Sequence, residues 1–128
     1  MILDTTVLVD LQRELRRNEP GRACSLLDQL GDEEIAITFV TWIEMAEGFE
    51  EASREACERF LSRFRVLWPN AETAWRASRI ARTLKSHGEP IGDHDVWIAA
   101  LALQHDRPVV TANDRHFRRV SSLTVRTY

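Results

Sequence analysis

Met1-Ile-Leu-Asp4-Thr-Thr-Val-Leu8-Val-Asp-Leu11-Gln-Arg-Glu-Leu-Arg-Arg17 opens the chain with two periodicities in succession. Met1 to Leu3 makes a very short apolar strand that stops at Asp4. From about Thr6 to Arg17 the period becomes helical, with Val7, Leu8 and Leu11 on one face and Gln12, Arg13 and Arg16 on the other. A strand passed straight to an amphipathic helix is the first half of a βαβ unit, and the rest of the chain repeats the alternation. Pro20-Gly21 breaks the first helix, and a second runs from about Arg22 to Leu30 and ends at Gly31. Glu34 to Thr38 reads as a buried strand on its β-branched residues. A helix from about Thr41 to Glu50 has a Glu-rich continuation to about Phe64, and Arg65 to Trp68 is a short strand stopped by Pro69-Asn70. Residues 71–87 form a long helix ended by His87-Gly88, and 89–92 form a loop. Val96 to Leu103 is the most apolar helix. Pro108 to Thr111 is a strand, and Leu123 to Val125 is the last strand candidate. Strands separated by helices imply right-handed crossovers, hence a three-layer α/β/α sandwich with a mostly parallel central sheet.

Length and composition agree with that reading. A chain of 128 residues with no linker or repeat is expected to be one domain spanning 1–128. Hydrophobic residues at 44% and charged ones at 29% describe a folded rather than a disordered protein. No stretch is long enough to span a bilayer, no basic segment precedes an apolar one at the start, and Cys24 and Cys57 lack C-x-x-C spacing. The expectation is a cytoplasmic protein with reduced thiols and no membrane partner. A net charge of −3 excludes attachment to nucleic acid by bulk charge alone. Lys85 is the sole Lys among seventeen cations, and Arg suits planar bidentate partners such as phosphate.

In an open parallel sheet, ligands bind at the carboxyl ends of the strands. Asp4 ends the first strand, Thr111-Ala-Asn113-Asp114 follows Val109-Val110, and Asp93-His-Asp95 stands at the mouth of the apolar helix. Glu44 lies inside the helix entered from the Ile35–Ile37 strand, in the apolar company of Trp42, Ile43 and Met45. Each has a plain structural role open to it. Asp4 can cap a helix, Asp93 and Asp95 can favour a helix dipole, Glu44 can be solvated, and Asn113 and Asp114 can form a turn. Their joint placement is what those separate roles do not predict. Two carboxylates 4 Å apart repel by about 4 kcal/mol at a surface-like dielectric, so such a rim keeps a proton or takes a cation. Oxygen-only ligands favour Mg²⁺ or Mn²⁺ over Zn²⁺.

At these residues the chain resembles the PIN-domain ribonucleases, and most closely the VapC-type toxins of bacterial toxin–antitoxin pairs. Ile2-Leu3-Asp4-Thr5-Thr6-Val7-Leu8 is similar to the family's opening. Thr41-Trp-Ile-Glu44-Met-Ala-Glu-Gly48 is similar to its second motif, and Pro90-Ile-Gly-Asp-His-Asp95-Val-Trp-Ile98-Ala-Ala100 to its third. Val110-Thr111-Ala-Asn113-Asp114-Arg-His-Phe117 resembles the fourth. The resemblance implies that Asp4, Glu44 and Asp95 hold Mg²⁺ or Mn²⁺. Asn113 would take the fourth catalytic position without adding charge, and Asp93 or Asp114 could supply the missing carboxylate. Thr5, Thr6 and Thr111 would support a metal water or an acid.

The same resemblance implies endonucleolytic hydrolysis of RNA, homodimers, and silencing by a small DNA-binding antitoxin whose tail crosses the site. Arg115, Arg118 and Arg119, after the last motif, are candidate RNA contacts. Arg76, Arg79, Arg82 and Lys85 form a second basic stripe that a solvated helix face explains equally well. Trp42, Trp75 and Trp97 read as core or interface. The competing reading is a catalytically inactive PIN fold that binds RNA or a protein partner. A phospho-acceptor domain is disfavoured because Lys85 lies mid-helix rather than after the last strand.

Overall fold

Strand β1 (Ile2–Leu3) supplies both faces of the core from two residues. Neighbouring side chains on a strand point to opposite faces, so Ile2 enters one apolar layer and Leu3 the other, both fully buried. Helix α1 (Thr5–Arg17) follows directly after Asp4 and buries Val7, Leu8 and Leu11. In this computed structural model, which describes residues 1–128, the order continues with α2 (Arg22–Leu30), β2 (Ala36–Thr38) and α3 (Phe39–Glu47). Then come α4 (Arg54–Leu61), β3 (Arg65–Leu67), α5 (Ala71–Ser86) and α6 (Asp93–Gln104), and finally β4 (Val109–Val110), α7 (Asp114–Phe117) and β5 (Val125–Arg126).

All five strands are parallel, in the order β3-β2-β1-β4-β5. Ile2 pairs with Ala36 on one side and Val109 on the other, and these three share a layer with Leu84, Ile98 and Leu101. Leu3, Ile37 and Val110 face the opposite layer, against Val7, Leu8 and Leu61. Two- and three-residue strands suffice in the middle of the sheet because β1, β2 and β4 are buried on both faces, while the edge strands β3 and β5 are partly exposed. No helix is long and apolar enough to cross a membrane.

The structure differs from the sequence expectation at four places. The helix expected over Thr41–Phe64 is two helices, α3 and α4, parted by Gly48-Phe49-Glu50 and a short 3-10 turn at Glu51–Ser53. Gly48 and Phe49 donate to Met45 and Ala46, three residues back, a tightening that ends an α-helix. Helix α6 begins at Asp93 rather than Val96, because Val96 N–H already reaches Gly92 O at 3.1 Å. Residues 114–117 form the short helix α7 instead of a plain turn. The last strand is Val125–Arg126 because its pairing with Val109 and Val110 fixes where it lies.

One contact decides how α2 docks on α1. Gly21 and α2's first residues present N–H groups that no side chain of α2 caps. Glu14 supplies the acceptor from α1, taking N–H bonds from Gly21 at 2.9 Å, Ala23 at 3.0 Å and Cys24 at 2.8 Å. A Cβ at Gly21 would stand 2.6 Å from Glu14 Oε1, so a side chain there would shift the carboxylate off these donors. Burial pushes the Glu14 carboxyl upward, but the three backbone N–H bonds outweigh it and bring it down from 4.5 to about 2. A depressed carboxylate stabilises the fold fully above its unfolded value near 4.5, and that contribution fades as pH falls toward 2. Glu14→Gln is therefore expected to lower stability by about 1 kcal/mol at neutral pH. The gap from the parent should close between pH 4.5 and 2 in thermal melts across pH. A gap that does not change with pH would show that the charge is irrelevant to the cap.

Candidate active site

With the strand order β3-β2-β1-β4-β5, the chain leaves β1 toward β2 and later returns on β1's other side at β4. Such a switch opens a crevice at the carboxyl ends of the two strands. Asp4 is the residue after β1, and Thr111-Ala112-Asn113 follow β4. A cleft of about 570 Å³ lies there, with Asp4, Thr5, Thr6, Glu44, Asp95 and Asn113 in its lining. Four segments far apart in sequence thus reach one place: α1 brings the threonines, α3 brings Glu44, α6 brings Asp95 in its first turn, and the β4–α7 junction brings Asn113.

Asp4 is 6% exposed and is the most enclosed of the acids. Its Oδ2 accepts the Thr111 hydroxyl at 2.8 Å and the Thr6 hydroxyl at 3.0 Å. The two hydroxyl oxygens lie 3.3 Å apart and each accepts a backbone N–H, Thr6 from Ala112 and Thr111 from Asn113, both at 3.0 Å. The threonines therefore tie the end of β4 to the start of α1 through Asp4. Burial raises the Asp4 carboxyl above its ordinary value; the hydroxyl and backbone bonds pull the other way, and the Asp95 charge adds to the rise. Glu44 accepts a short hydrogen bond from Thr5, and His94 Nδ1 stands 2.8 Å from its other oxygen. Asp95 is bonded by His116 Nδ1 at 2.8 Å. Asn113 is exposed, and its side chain caps nothing at α7.

The donor set is all oxygen and suits a hard divalent ion, and the Asp4–Asp95 repulsion is of the sign that a cation relieves. In this arrangement, however, no three His, Cys, Asp or Glu side chains converge tightly enough to hold a metal ion. Glu44 and Asp95 are each engaged by a histidine of their own.

Other candidates from the sequence lie elsewhere. Asp93 lines a separate groove with Phe39, Ile43 and Trp97, because α6 turns it away from Asp95. Asp114 accepts a short bond from Arg118, the residue just past α7. Arg119 donates to Pro90 O at 3.1 Å and borders a third cavity, while Arg115 is exposed; none of the three arginines lines the cleft. On the α5 stripe, Arg76 pairs with Glu72 and Arg79 stacks on Trp75 at 4.3 Å, leaving Trp75 60% exposed rather than in the core. Trp97 meets Phe39 edge-on, and Trp68 stacks on Phe39 yet stays 64% exposed.

Sequence reasoning missed Asp10, Arg22 and Glu47, which also line the cleft, and the histidine partners of Glu44 and Asp95. Asp10 was legible as one helical turn beyond Thr6, and Glu47 as three residues beyond Glu44. Nothing local marks Arg22, because α2's docking brings it there.

The sequence profile of the PIN domain matches residues 1–123. The chain belongs to the PIN-domain family. Among relatives, Ribonuclease VapC1 of Haemophilus influenzae (strain R2866) is 30% identical over 128 residues, covering 95% of this chain and 92% of that protein. The 2.2 Å structure of VapBC-1 from nontypeable Haemophilus influenzae contains a chain 31% identical, with a TM-score of 0.80, covering 98% of this chain and 96% of that one. A chain of a toxin–antitoxin complex from Klebsiella pneumoniae is 25% identical, with a TM-score of 0.73 over 96% of this chain and 94% of that one. Within the family, this PIN domain falls on the VapC branch.

Proposed function

We propose that this PIN domain, a single domain over residues 1–128, is a metal-dependent endoribonuclease and the toxin of a toxin–antitoxin pair. The observation that carries the reading is the cleft at the β1/β4 switch, where Asp4, Glu44, Asp95 and Asn113 meet. Kinship to a protein named a ribonuclease, and to a chain in a toxin–antitoxin complex, supports it. Asp4, Glu44 and Asp95 would hold Mg²⁺ or Mn²⁺ by drawing closer around it than they stand without it, with Asn113 as a neutral neighbour. When bound, the ion supplies Lewis acidity, offsetting phosphate charge and making water easier to deprotonate. Thr6 and Thr111 orient Asp4 by occupying one of its oxygens. Glu44, steadied by Thr5 and His94, orients or deprotonates the attacking water. The partners in this reading are RNA, a small DNA-binding antitoxin and a second copy of the chain, in the cytoplasm.

The test is incubation of purified protein with total cellular RNA in Mg²⁺, in Mn²⁺ and after chelation. Discrete cleavage that depends on the ion and is lost in Asp95→Asn is the expected result. No cleavage of any RNA, together with no Mn²⁺ uptake by calorimetry, would favour the inactive binding module.

A further inference from the structure

One face of α1 starts in the cleft and ends outside it. Thr5, Thr6 and Val9 line the cleft; Val9 also lines a neighbouring groove with Gln12, Arg13, Arg16 and Arg17. Counted from Val9, these positions are i+3, i+4, i+7 and i+8, a single helical stripe. Arg16 and Arg17 are exposed and carry no ion pair with any acid, unlike Arg13, which meets Asp10 at 3.2 Å. They stand about 10–12 Å beyond Val9 along the axis.

Arg22 is the sole Lys or Arg in the lining of the cleft, beside Asp4, Asp10, Glu44, Glu47 and Asp95. It is anchored but not enclosed. Its Nε and Nη2 donate to Asp10 Oδ2 at 3.0 and 2.6 Å, and its guanidinium lies 4.7 Å from the centre of the Tyr128 ring. Tyr128 in turn donates its hydroxyl to Asp10 at 3.0 Å. With over half of its side chain open to solvent, the fork retains an outward edge already held in place.

We propose that Arg22 and the α1 stripe over Arg13, Arg16 and Arg17 bind consecutive phosphates of one RNA strand leaving the catalytic cleft past Val9. This rests on the endoribonuclease reading and gives the substrate its direction across the surface. The net charge of −3 makes such a localised path necessary, since the molecule as a whole does not attract a polyanion. A flexible single strand follows the stripe by its backbone without presenting a particular base.

The experiment compares cleavage of a long single-stranded RNA and of a trinucleotide by the parent, Arg22→Ala, Arg22→Lys and Arg16→Ala/Arg17→Ala, across salt concentrations. Parent cleavage of the long RNA is the check on the underlying reading; its absence defeats that reading, and the inference with it. Given parent cleavage, Arg22→Ala is expected to raise KM about tenfold on both substrates with kcat within twofold. Arg22→Lys should recover only part, because it keeps the charge and loses the fork. The double variant should raise KM on the long RNA alone and reduce the slope of log affinity against log salt by about 1.4. A purely structural role for these arginines, as pairs or as cations at the C-terminal end of α1, would lower Tm and leave KM and the salt slope unchanged. Unchanged KM and slope in a folded Arg22→Ala or in the double variant overturn the path. So does a loss confined to binding of an acidic protein partner, with RNA cleavage unaltered.

Discussion

Asp4→Asn is expected to reduce RNA cleavage by about 10²- to 10⁴-fold while leaving the protein at least as heat-stable as the parent. The two effects share one cause. Asp4 is enclosed, has no cation as a hydrogen-bond partner and feels the Asp95 charge, so its ionised form is held at a cost to the fold. Asn preserves the shape and removes the charge, and the hydroxyls of Thr6 and Thr111 can still bond its amide. A site that is costly when empty of cations is typical of residues kept for chemistry rather than stability. Cleavage assays with melts on the same samples test this. A large fall in Tm would place Asp4 among the structural residues, and cleavage at the parental rate would remove it from the mechanism. Asp4→Ala is the weaker experiment, because it leaves two hydroxyls without their buried acceptor.

Phe117→Ala should cost about 3–5 kcal/mol of folding stability, the largest effect expected of any substitution near the cleft. Phe117 is 1% exposed, packs with Ile2, Ile98, Leu101 and Val109, and also borders the cleft. It ends a four-residue helix, α7, that is too short to hold itself together and that begins beside Asn113. Its ring therefore pins the β4–α7 junction to the core. Against a typical total of about 5–15 kcal/mol, the loss leaves the domain marginal. Urea denaturation gives the magnitude, and Phe117→Leu should cost only about 1–1.5 kcal/mol because it refills most of the volume. A loss below about 1 kcal/mol for Phe117→Ala would mean that α7 is held by something else.

The parts of the molecule legible in the sequence are those where a local rule acts without competition. Helix α1 shows its amphipathic stripe, α6 its apolar run from Val96 to Leu103, and α5 its long helical pattern between Pro69-Asn70 and His87-Gly88. The break at Gly48-Phe49 was not legible, since Glu-rich residues on both sides favour helix and only packing of Phe49 on the core turns the chain. Asp4 and Asn113 could be picked out because they follow strands, Asp95 because it opens the apolar helix, and Glu44 by its apolar neighbours. Their hydrogen-bond partners could not, since His94 is fifty residues from Glu44 and His116 twenty-one from Asp95.

By itself the sequence determined the alternation of strands and helices, the two-faced core and the place of Asp4 at a strand end, because each follows from periodicity within a few residues. Which of those ends meet was decided by the tertiary structure alone. A two-residue strand states which side chains face which layer, but nothing in it selects β4 rather than β5 as β1's neighbour. That pairing brings Thr111 to Asp4 across 107 residues. The docking of α2 likewise carries Arg22 into an acidic cleft. Such contacts depend on which surfaces bury each other, and burial is a property of the assembled layers rather than of any segment.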